Sequence, residues 1–221
     1  HWAVSIEQGG QTVLTATAIT AVRRSTWGVQ DERMPAALSP AAMGRPNMAA
    51  PVEWVRRYDT LDSASLERLK QEAAAMDHGP LVSVVMPTYN ANLDWLGQAI
   101  QSVRDQLYPR WELCIADDAS TDPEVRPFLE QWVAKDPRIK VTFRDTNGHI
   151  SAATNSALAL ASGDWITFLD HDDVLPVHAL LYMVKAIARH PDARLLYSDE
   201  DKLDEHGKRY DPYFKCDWNL D

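Results

Sequence analysis

The apolar run Trp165-Ile166-Thr167-Phe168-Leu169 leads directly into Asp170-His171-Asp172-Asp173, three carboxylates in four residues. No other stretch restricts the possible fold as much. An unbroken apolar run with β-branched and aromatic members predicts a central strand of a parallel sheet, covered on both faces. Val174-Leu175-Pro176 follows and predicts the opening of a helix, with proline in its first turn. The acids then stand at the carboxyl end of a strand, the edge at which open α/β sheets take their ligands. From Asp145 to Val184 the chain has no Lys or Arg, so local ion pairs do not account for these acids. Like charges this close raise one another's pKa unless a cation intervenes. Asp170 and Asp172 offer hard oxygen ligands of the kind that Mg²⁺ or Mn²⁺ takes alongside substrate phosphates. A plainer role for Asp173 is the N-cap of the following helix, stabilised by about 0.3–1 kcal/mol at the positive end of the helix dipole. That role is kept for Asp173; it does not reach Asp170, which ends the strand.

The rest of the chain sets this run in context. From Leu81 onward strand-like and helix-like patterns alternate, which predicts an α/β fold with a mostly parallel sheet flanked by helices. The expected strands are Leu81–Met86, Trp111–Ala116, Ile139–Phe143, Trp165–Leu169 and Leu195–Tyr197. The expected helices run from about Leu93 to Leu107, from about Glu124 to Ala134, from after Asn147-Gly148-His149 to about Ala161, and from Pro176 to about Arg189. An amphipathic helix over Leu61–Met76 precedes them and stops at His78-Gly79-Pro80. Ahead of it, residues 1–20 alternate around Gln8-Gly9-Gly10-Gln11 as a hairpin would, and Met34 to Pro51 carries four prolines in a linker-like composition. At 221 residues, one main domain with an N-terminal appendage is expected.

Charge and cysteine usage narrow the class. A net charge of −10 without a basic cluster longer than Arg23-Arg24 or Arg56-Arg57 argues against a nucleic-acid partner. An acidic protein that handles an anionic phosphate needs a bridging cation, in keeping with the Asp170/Asp172 pair. Two cysteines, one within a strand-like run and one in a polar tail, do not make a disulfide framework, so a reducing cytosol is the expected setting. No apolar run approaches 18–20 residues, so no transmembrane segment is expected. The chain begins with His rather than Met, which fits a fragment of a longer protein.

The loops after the strands carry the remaining candidates. Tyr89 offers a ring face on which a base can stack, or is a plain turn tyrosine. Asp117 and Asp118 can accept hydrogen bonds from a pyrimidine N3–H or a ribose hydroxyl; alternatively Asp118 and Ser120 form an Asx turn that caps the next helix. His149 meets a diphosphate or is an ordinary loop histidine. Asp199, Glu200 and Asp201 line the cleft or face solvent beside Lys202 and Arg209.

Together these runs resemble, in order and spacing, the family 2 glycosyltransferases. The resemblance is carried by Val84-Val85-Met86-Pro87-Thr88-Tyr89-Asn90, Ile115-Ala116-Asp117-Asp118-Ala119-Ser120-Thr121-Asp122, the segment from Asn147-Gly148 to Asn155, and Leu169-Asp170-His171-Asp172-Asp173. Tyr197-Ser198-Asp199-Glu200-Asp201-Lys202 with Asp211-Pro212-Tyr213-Phe214-Lys215 is similar to a bacterial subgroup that builds O-antigen and other surface polysaccharides. The resemblance implies a GT-A (Rossmann-like) fold, a nucleotide-diphospho-sugar donor (UDP- or dTDP-sugar), Mn²⁺ or Mg²⁺, and inverting transfer to a glycan or lipid-linked acceptor. By its motifs, Pro87, Thr88 and Tyr89 would flank the base and Asp118 would bind the pyrimidine N3, with Asp117 close by. Asp170 would meet ribose and metal, and Asp172 would ligate the metal; Asn90, His149, Asn155 and His171 complete the donor-binding set. The implied division is an appendage and linker over 1–57, a leading helix over 58–80 and a donor-binding half over 81–221. The implied place of the whole protein is the cytoplasm, at the inner face of the cytoplasmic membrane.

Two departures qualify the match. Many relatives carry Arg before the Asn of the middle segment, where this chain has Thr154; a phosphate contact is then missing or supplied by His149. The family's general base normally lies many tens of residues beyond the Asp-x-Asp, so the base is expected beyond Asp221. The rival readings are a haloacid-dehalogenase-type phosphatase, with Asp170 as nucleophile, Asp172 as acid/base and Ser198 and Lys202 in later motifs, and a nucleotide-sugar-binding module without turnover. A nicotinamide dehydrogenase is disfavoured because no G-x-G-x-x-G follows the first strand.

Overall fold

A computed structural model of the chain describes residues 14–16, 20–23, 61–76, 78–204 and 206–215. In chain order its elements are β1 (Leu14–Ala16), β2 (Thr20–Arg23), α1 (Ser63–Ala74), β3 (Val82–Thr88), α2 (Leu93–Arg104), β4 (Trp111–Asp117), α3 (Val125–Lys135) and β5 (Ile139–Phe143). There follow α4 (His149–Leu158), β6 (Trp165–Phe168), β7 (Asp173–Val174), α5 (Ala179–Arg189), β8 (Leu195–Tyr197), β9 (Glu200–Leu203) and β10 (Arg209–Tyr213). The expected hairpin around Gly9-Gly10 and the proline-rich linker lie outside the described residues.

The main sheet has the order β5-β4-β3-β6-β2-β8, with β5, β4, β3 and β6 parallel and β2 antiparallel to both its neighbours. A smaller sheet runs β10-β9-β1-β7. The fold is therefore the expected α/β class, a mostly parallel sheet flanked by helices. Residues 14–16 and 20–23, set apart by the sequence with the N-terminal segment, instead contribute a strand to each sheet. Burial explains why β3 and β4 lead the sheet: every residue of both is buried. Alternate side chains feed two cores. Val84, Met86, Leu113 and Ile115 pack with Leu96, Ile100, Val103, Leu129 and Leu180 from α2, α3 and α5. On the other face Val85, Cys114, Ala116 and Ile166 pack with Ala157 and Ala161, at and beyond the end of α4. Each such large apolar side chain contributes roughly 1.5–3 kcal/mol on burial.

Chain entry to the helices follows capping chemistry. Asp62 accepts from the Ser65 N–H at 2.7 Å to start α1, and Asn92 accepts from the Asp94 and Trp95 N–H groups to start α2. The helix expected from Pro176 begins instead at Ala179. Its would-be first turn is held by α2 and the loop after it. Leu175 N–H donates to Ser102 Oγ, Gln106 Nε2 donates to the Pro176 carbonyl, and Leu107 N–H donates to the Val177 carbonyl at 2.8 Å. Asp173 does not cap a helix. It is a buried strand residue paired with Thr15, and the N-cap position belongs to His178.

At the amino edge of the sheet sits a buried polar knot. Glu112 on β4 accepts from Ser83 Oγ (2.6 Å), Lys140 Nζ (2.7 Å), Ser162 Oγ (2.8 Å) and the Ser162 N–H. Ser83 Oγ in turn accepts from the Gly163 N–H, and a Cβ at Gly163 would meet Ser83 Oγ and the Leu81 carbonyl at 2.6 Å. Glycine is thus what lets the α4–β6 turn close on the sheet. Burial pushes the Glu112 carboxyl up, but the Lys140 ammonium and the Ser162 and Ser83 donors outweigh it and hold the group at about 2. A carboxyl held below its unfolded value stabilises the fold above about pH 4.5, and that stabilisation is lost as pH falls toward 2. Glu112→Gln is therefore expected to lower stability at pH 7 by roughly 2–3 kcal/mol in urea unfolding. The gap to the unmodified chain should narrow between pH 5 and pH 2.5; a gap independent of pH would contradict this account of the knot.

Candidate functional site

In the main sheet the chain runs outward from β3 through β4 to β5, then crosses back to place β6 on the other side of β3. The crossovers on either side of the β3/β6 boundary leave in opposite directions, which makes a crevice at the carboxyl ends of these two strands. The loops that border it are those after β3, β4 and β6, and they carry Tyr89, Asp117-Asp118 and Asp170-His171-Asp172. Sequence reasoning expected these ends to converge, and the register brings them together: Thr88 pairs with Asp117, and Val85 with Phe168.

Hydrogen bonds fix the β3 and β4 loops to each other. Asn90 adopts φ 46° and its backbone N–H donates to Ser120 Oγ at 2.8 Å. Its side-chain oxygen accepts from the Thr121 and Asp122 N–H groups at 2.8 and 3.2 Å, while Nδ2 donates to Thr121 Oγ1. Asn90, named from sequence as a donor contact, therefore spends its amide on joining two loops. Ser120 donates to Asp117 through both its hydroxyl and its backbone N–H, the latter at 3.1 Å. The Asx turn suggested for Asp118 is thus made by Asp117, because the Asp118 side chain is engaged elsewhere. Pro87 and Thr88 close β3 in buried positions, whereas Tyr89, in the loop that follows, is 43% exposed.

Asp118 is 2% exposed. Its Oδ1 accepts from Arg144 Nε at 2.7 Å, and the Gly148 N–H is shared between Oδ1 (3.0 Å) and Oδ2 (3.1 Å). Asn147 Nδ2 donates to the Asp118 carbonyl, and the Asp118 N–H to the Thr88 carbonyl at 2.9 Å. Arg144 was not singled out from sequence: it lies 26 positions from its carboxylate, and only the folded register joins them. Its Nη1 continues to the Ala152 carbonyl (3.2 Å) and to Ser156 Oγ (2.7 Å) on α4. His149 opens α4 at φ 61°, exposed. Asn155, also exposed, lies about 9 Å further along that helix. Three of the four non-glycine residues with positive φ among those described, Asn90, Ala119 and His149, sit in these loops; backbone strain of this kind gathers where a site is over-determined by its surroundings.

Asp170, His171 and Asp172 occupy the turn between β6 and β7, half-buried. The Asp170 carboxyl is pushed up to about 6, first by burial and then by the neighbouring Asp172 charge, with His171 opposing. No Lys or Arg figures among the groups that act on it. The donor set fits a hard divalent ion, which binds through one or two carboxylates and completes its shell with water and substrate oxygens. Among the described residues no group of three His, Cys, Asp or Glu side chains is assembled into a closed cage.

The second motif pair folds into the β9–β10 hairpin. Arg209 Nε meets Asp201 at 2.6 Å, Lys202 pairs with Asp211, and Lys215 reaches Glu200 at 3.4 Å and donates its backbone N–H to Asp199. Asp201 is buried, so it does not face solvent as the plainer sequence reading had it. Among the described residues no helix is long and apolar enough to cross a membrane.

An open, mostly parallel sheet with its candidate ligand residues at a switch point is the Rossmann-like α/β class to which GT-A folds belong. Residues 83–219 match the Glycosyl transferase family 2 profile, and the chain belongs to that family. It is 49% identical over 167 residues to the uncharacterized protein y4gI of Sinorhizobium fredii, covering 76% of this chain and 18% of that protein. It is 36% identical over 160 residues to the O-antigen biosynthesis protein RfbC of Myxococcus xanthus, covering 72% of this chain and 12% of that one. The chain thus spans less than a fifth of the length of either relative. The S. aureus TarS 1-349 structure in complex with UDP-GlcNAc aligns at 30% identity and a TM-score of 0.46, over 50% of this chain and 32% of that one. Family membership sets aside the phosphatase and dehydrogenase readings.

The electrostatics of Asp170 give a test that needs no ligand. A carboxyl raised above its unfolded value disfavours the fold when ionised, so the penalty is absent below about pH 4 and grows as pH rises through 6. In chelator at pH 7.5, Asp170→Asn is expected to stabilise the chain by roughly 1–2 kcal/mol. At pH 4 the difference should vanish. A destabilised Asn variant at pH 7.5 in thermal unfolding would show that Asp170 is compensated after all.

Proposed function

We propose that this chain forms the donor-binding part of an inverting glycosyltransferase that takes a UDP- or dTDP-sugar with Mn²⁺ or Mg²⁺. The acceptor is a glycan or lipid-linked glycan in bacterial surface-polysaccharide synthesis. The observation that carries the reading is the convergence of Tyr89, Asp117-Asp118 and Asp170-Asp172 on the carboxyl ends of three adjacent parallel strands. Family membership supplies the reaction type, and the name of the Myxococcus relative supports the polysaccharide setting.

Each role follows from what the side chain has left to offer. The exposed Tyr89 ring stacks on the base, a contact worth about 1–3 kcal/mol in single-stranded nucleic-acid systems. Asp118 presents carboxylate oxygens that only accept, and so takes a base with an N3–H, uracil or thymine, over cytosine, whose N3 is itself an acceptor. Asp117 and Asn90 hold the two base-side loops at a fixed separation. Asp170 and Asp172 would hold the divalent ion, with Asp170 also meeting the ribose. Bound there, the ion supplies Lewis-acid stabilisation of the charge on the leaving diphosphate. His149 opens α4, where a phosphate oxygen would meet its ring at the positive end of the helix dipole. His171 and Asn155 border the same edge. No described residue is assigned the base that deprotonates the acceptor hydroxyl. The whole protein works on the cytoplasmic side of the membrane, where nucleotide sugars are its substrates.

Calorimetric titration with UDP and dTDP, in Mn²⁺ and again in chelator, tests the reading. Binding of either diphosphate, tightened by Mn²⁺, is expected. Asp172→Ala should weaken binding by about tenfold or more in Mn²⁺ and leave the chelator value unchanged. Absence of binding to both diphosphates under both conditions overturns the proposal.

A further inference from the structure

The contact of Arg144 with Asp118 has a role that the donor-site residues alone do not account for. A carboxylate has about four acceptor positions. Arg144 Nε and the shared Gly148 N–H take three of them, leaving one on Oδ2. The three bonds are not equivalent. The Arg144 bond is short and charge-assisted at 2.7 Å, whereas the Gly148 amide is divided between two oxygens at 3.0 and 3.1 Å. The guanidinium is held from behind by the Ala152 carbonyl and Ser156 Oγ, so it is braced against α4 and does not swing with the carboxylate.

Nearly complete burial adds a second requirement. A base N–H would meet Asp118 at the Oδ2 position left open, and any donor it displaced would be the weaker, shared Gly148 N–H. A buried carboxylate that loses a donor is costly unless a cation stays with it. Arg144 is the group that stays.

We propose that Arg144 is the positioning residue of the nucleobase pocket, clamping Asp118 so that one fixed carboxylate oxygen faces the imide N–H of a uracil or thymine. The inference rests on the donor reading above and deepens it: Arg144 touches no part of the nucleotide and sets base selectivity through Asp118. Rotating the carboxylate out of the base plane would cost the imide contact but not the phosphate contacts. A loss at Arg144 therefore falls on pyrimidine discrimination rather than on binding as a whole.

The test compares UDP with CDP, both in Mn²⁺, by calorimetry on the unmodified chain, Arg144→Met, Arg144→Lys and Gly148→Ala. Gly148 has φ −127°, which alanine also adopts, but an added Cβ would meet Arg144 Nη2 at 2.6 Å and Ala152 Cβ at 2.8 Å. It displaces the guanidinium without deleting a donor. In Arg144→Met the preference for UDP over CDP is expected to fall about tenfold or more, through weaker UDP binding with CDP changed less than about twofold. Arg144→Lys keeps the charge but not the braced fork, and should fall between; Gly148→Ala should shift in the same direction. Should Arg144→Met fail to fold, Arg144→Lys and Gly148→Ala carry the comparison. Unchanged selectivity in the folded variants, or equal weakening of UDP and CDP, overturns the positioning role while leaving the donor reading intact. An unmodified chain that binds neither UDP nor dTDP overturns the donor reading itself.

Discussion

The reversal of chain direction between β3 and β6 governs where chemistry can take place in this protein. On one side of that boundary the helical crossovers carry the chain toward β5; on the other they carry it toward β6 and beyond. Only there do the strand ends stay uncovered by a connecting helix. Side chains that end β3, β4 and β6 are therefore presented to a common space whatever their sequence distance. Strands buried on both faces secure this geometry, because a slip by one residue would exchange side chains between two cores of different size.

Within that space the treatment of carboxylates differs from the rest of the fold. Glu112 and Asp136 each lie against Lys or Arg donors and are held at about 2. Asp118 has its guanidinium, and Asp117 its serine. In contrast to Glu112 and Asp136, Asp170 is raised to about 6, by burial and by Asp172. Structural carboxylates are compensated by fixed protein charge; an uncompensated pair at a strand end is a standing cost that the fold itself does not repay. Such a cost persists where a ligand relieves it. The contrast between Glu112 and Asp170, both near the sheet and both partly or wholly buried, is a stronger pointer to function than either value alone.

Elements whose pattern is local were legible. Ile139–Phe143 and Leu195–Tyr197 appear with the bounds their apolar runs predict, and the motif loops converge as the strand order requires. What escaped the sequence was decided by partners distant in the chain. Pro176 looks like the first turn of a helix, yet Ser102, Gln106 and Leu107 take the backbone groups of 175–177 that would have started it. Asp173 looks like a cap, yet it pairs with Thr15. The insertion of β2 between β6 and β8 carries no periodic signal strong enough to announce it in a four-residue strand. Asp118 was named as a candidate from its loop, but the guanidinium that pairs with it was invisible, because nothing in Arg144's own neighbourhood marks it as other than a solvated strand-end residue.

The departure at Thr154 follows the same logic of close packing. Thr154 is buried and donates its hydroxyl to the Ile150 carbonyl within α4. An arginine there would have to turn away from the sheet to find an anion. α4 is instead built with Ala152, Ala153 and Ala157 along its length, and small residues let a helix lie close to a sheet. That closeness is what Arg144 needs. From the end of β5 its guanidinium spans Asp118 on one side and Ala152 and Ser156 on the other. Gly148 and Ala152 leave the room in which it lies, since a single added Cβ at 148 would meet both neighbours. The cation beside these loops is thus supplied by a strand rather than by the helix, and it is committed to orienting a carboxylate.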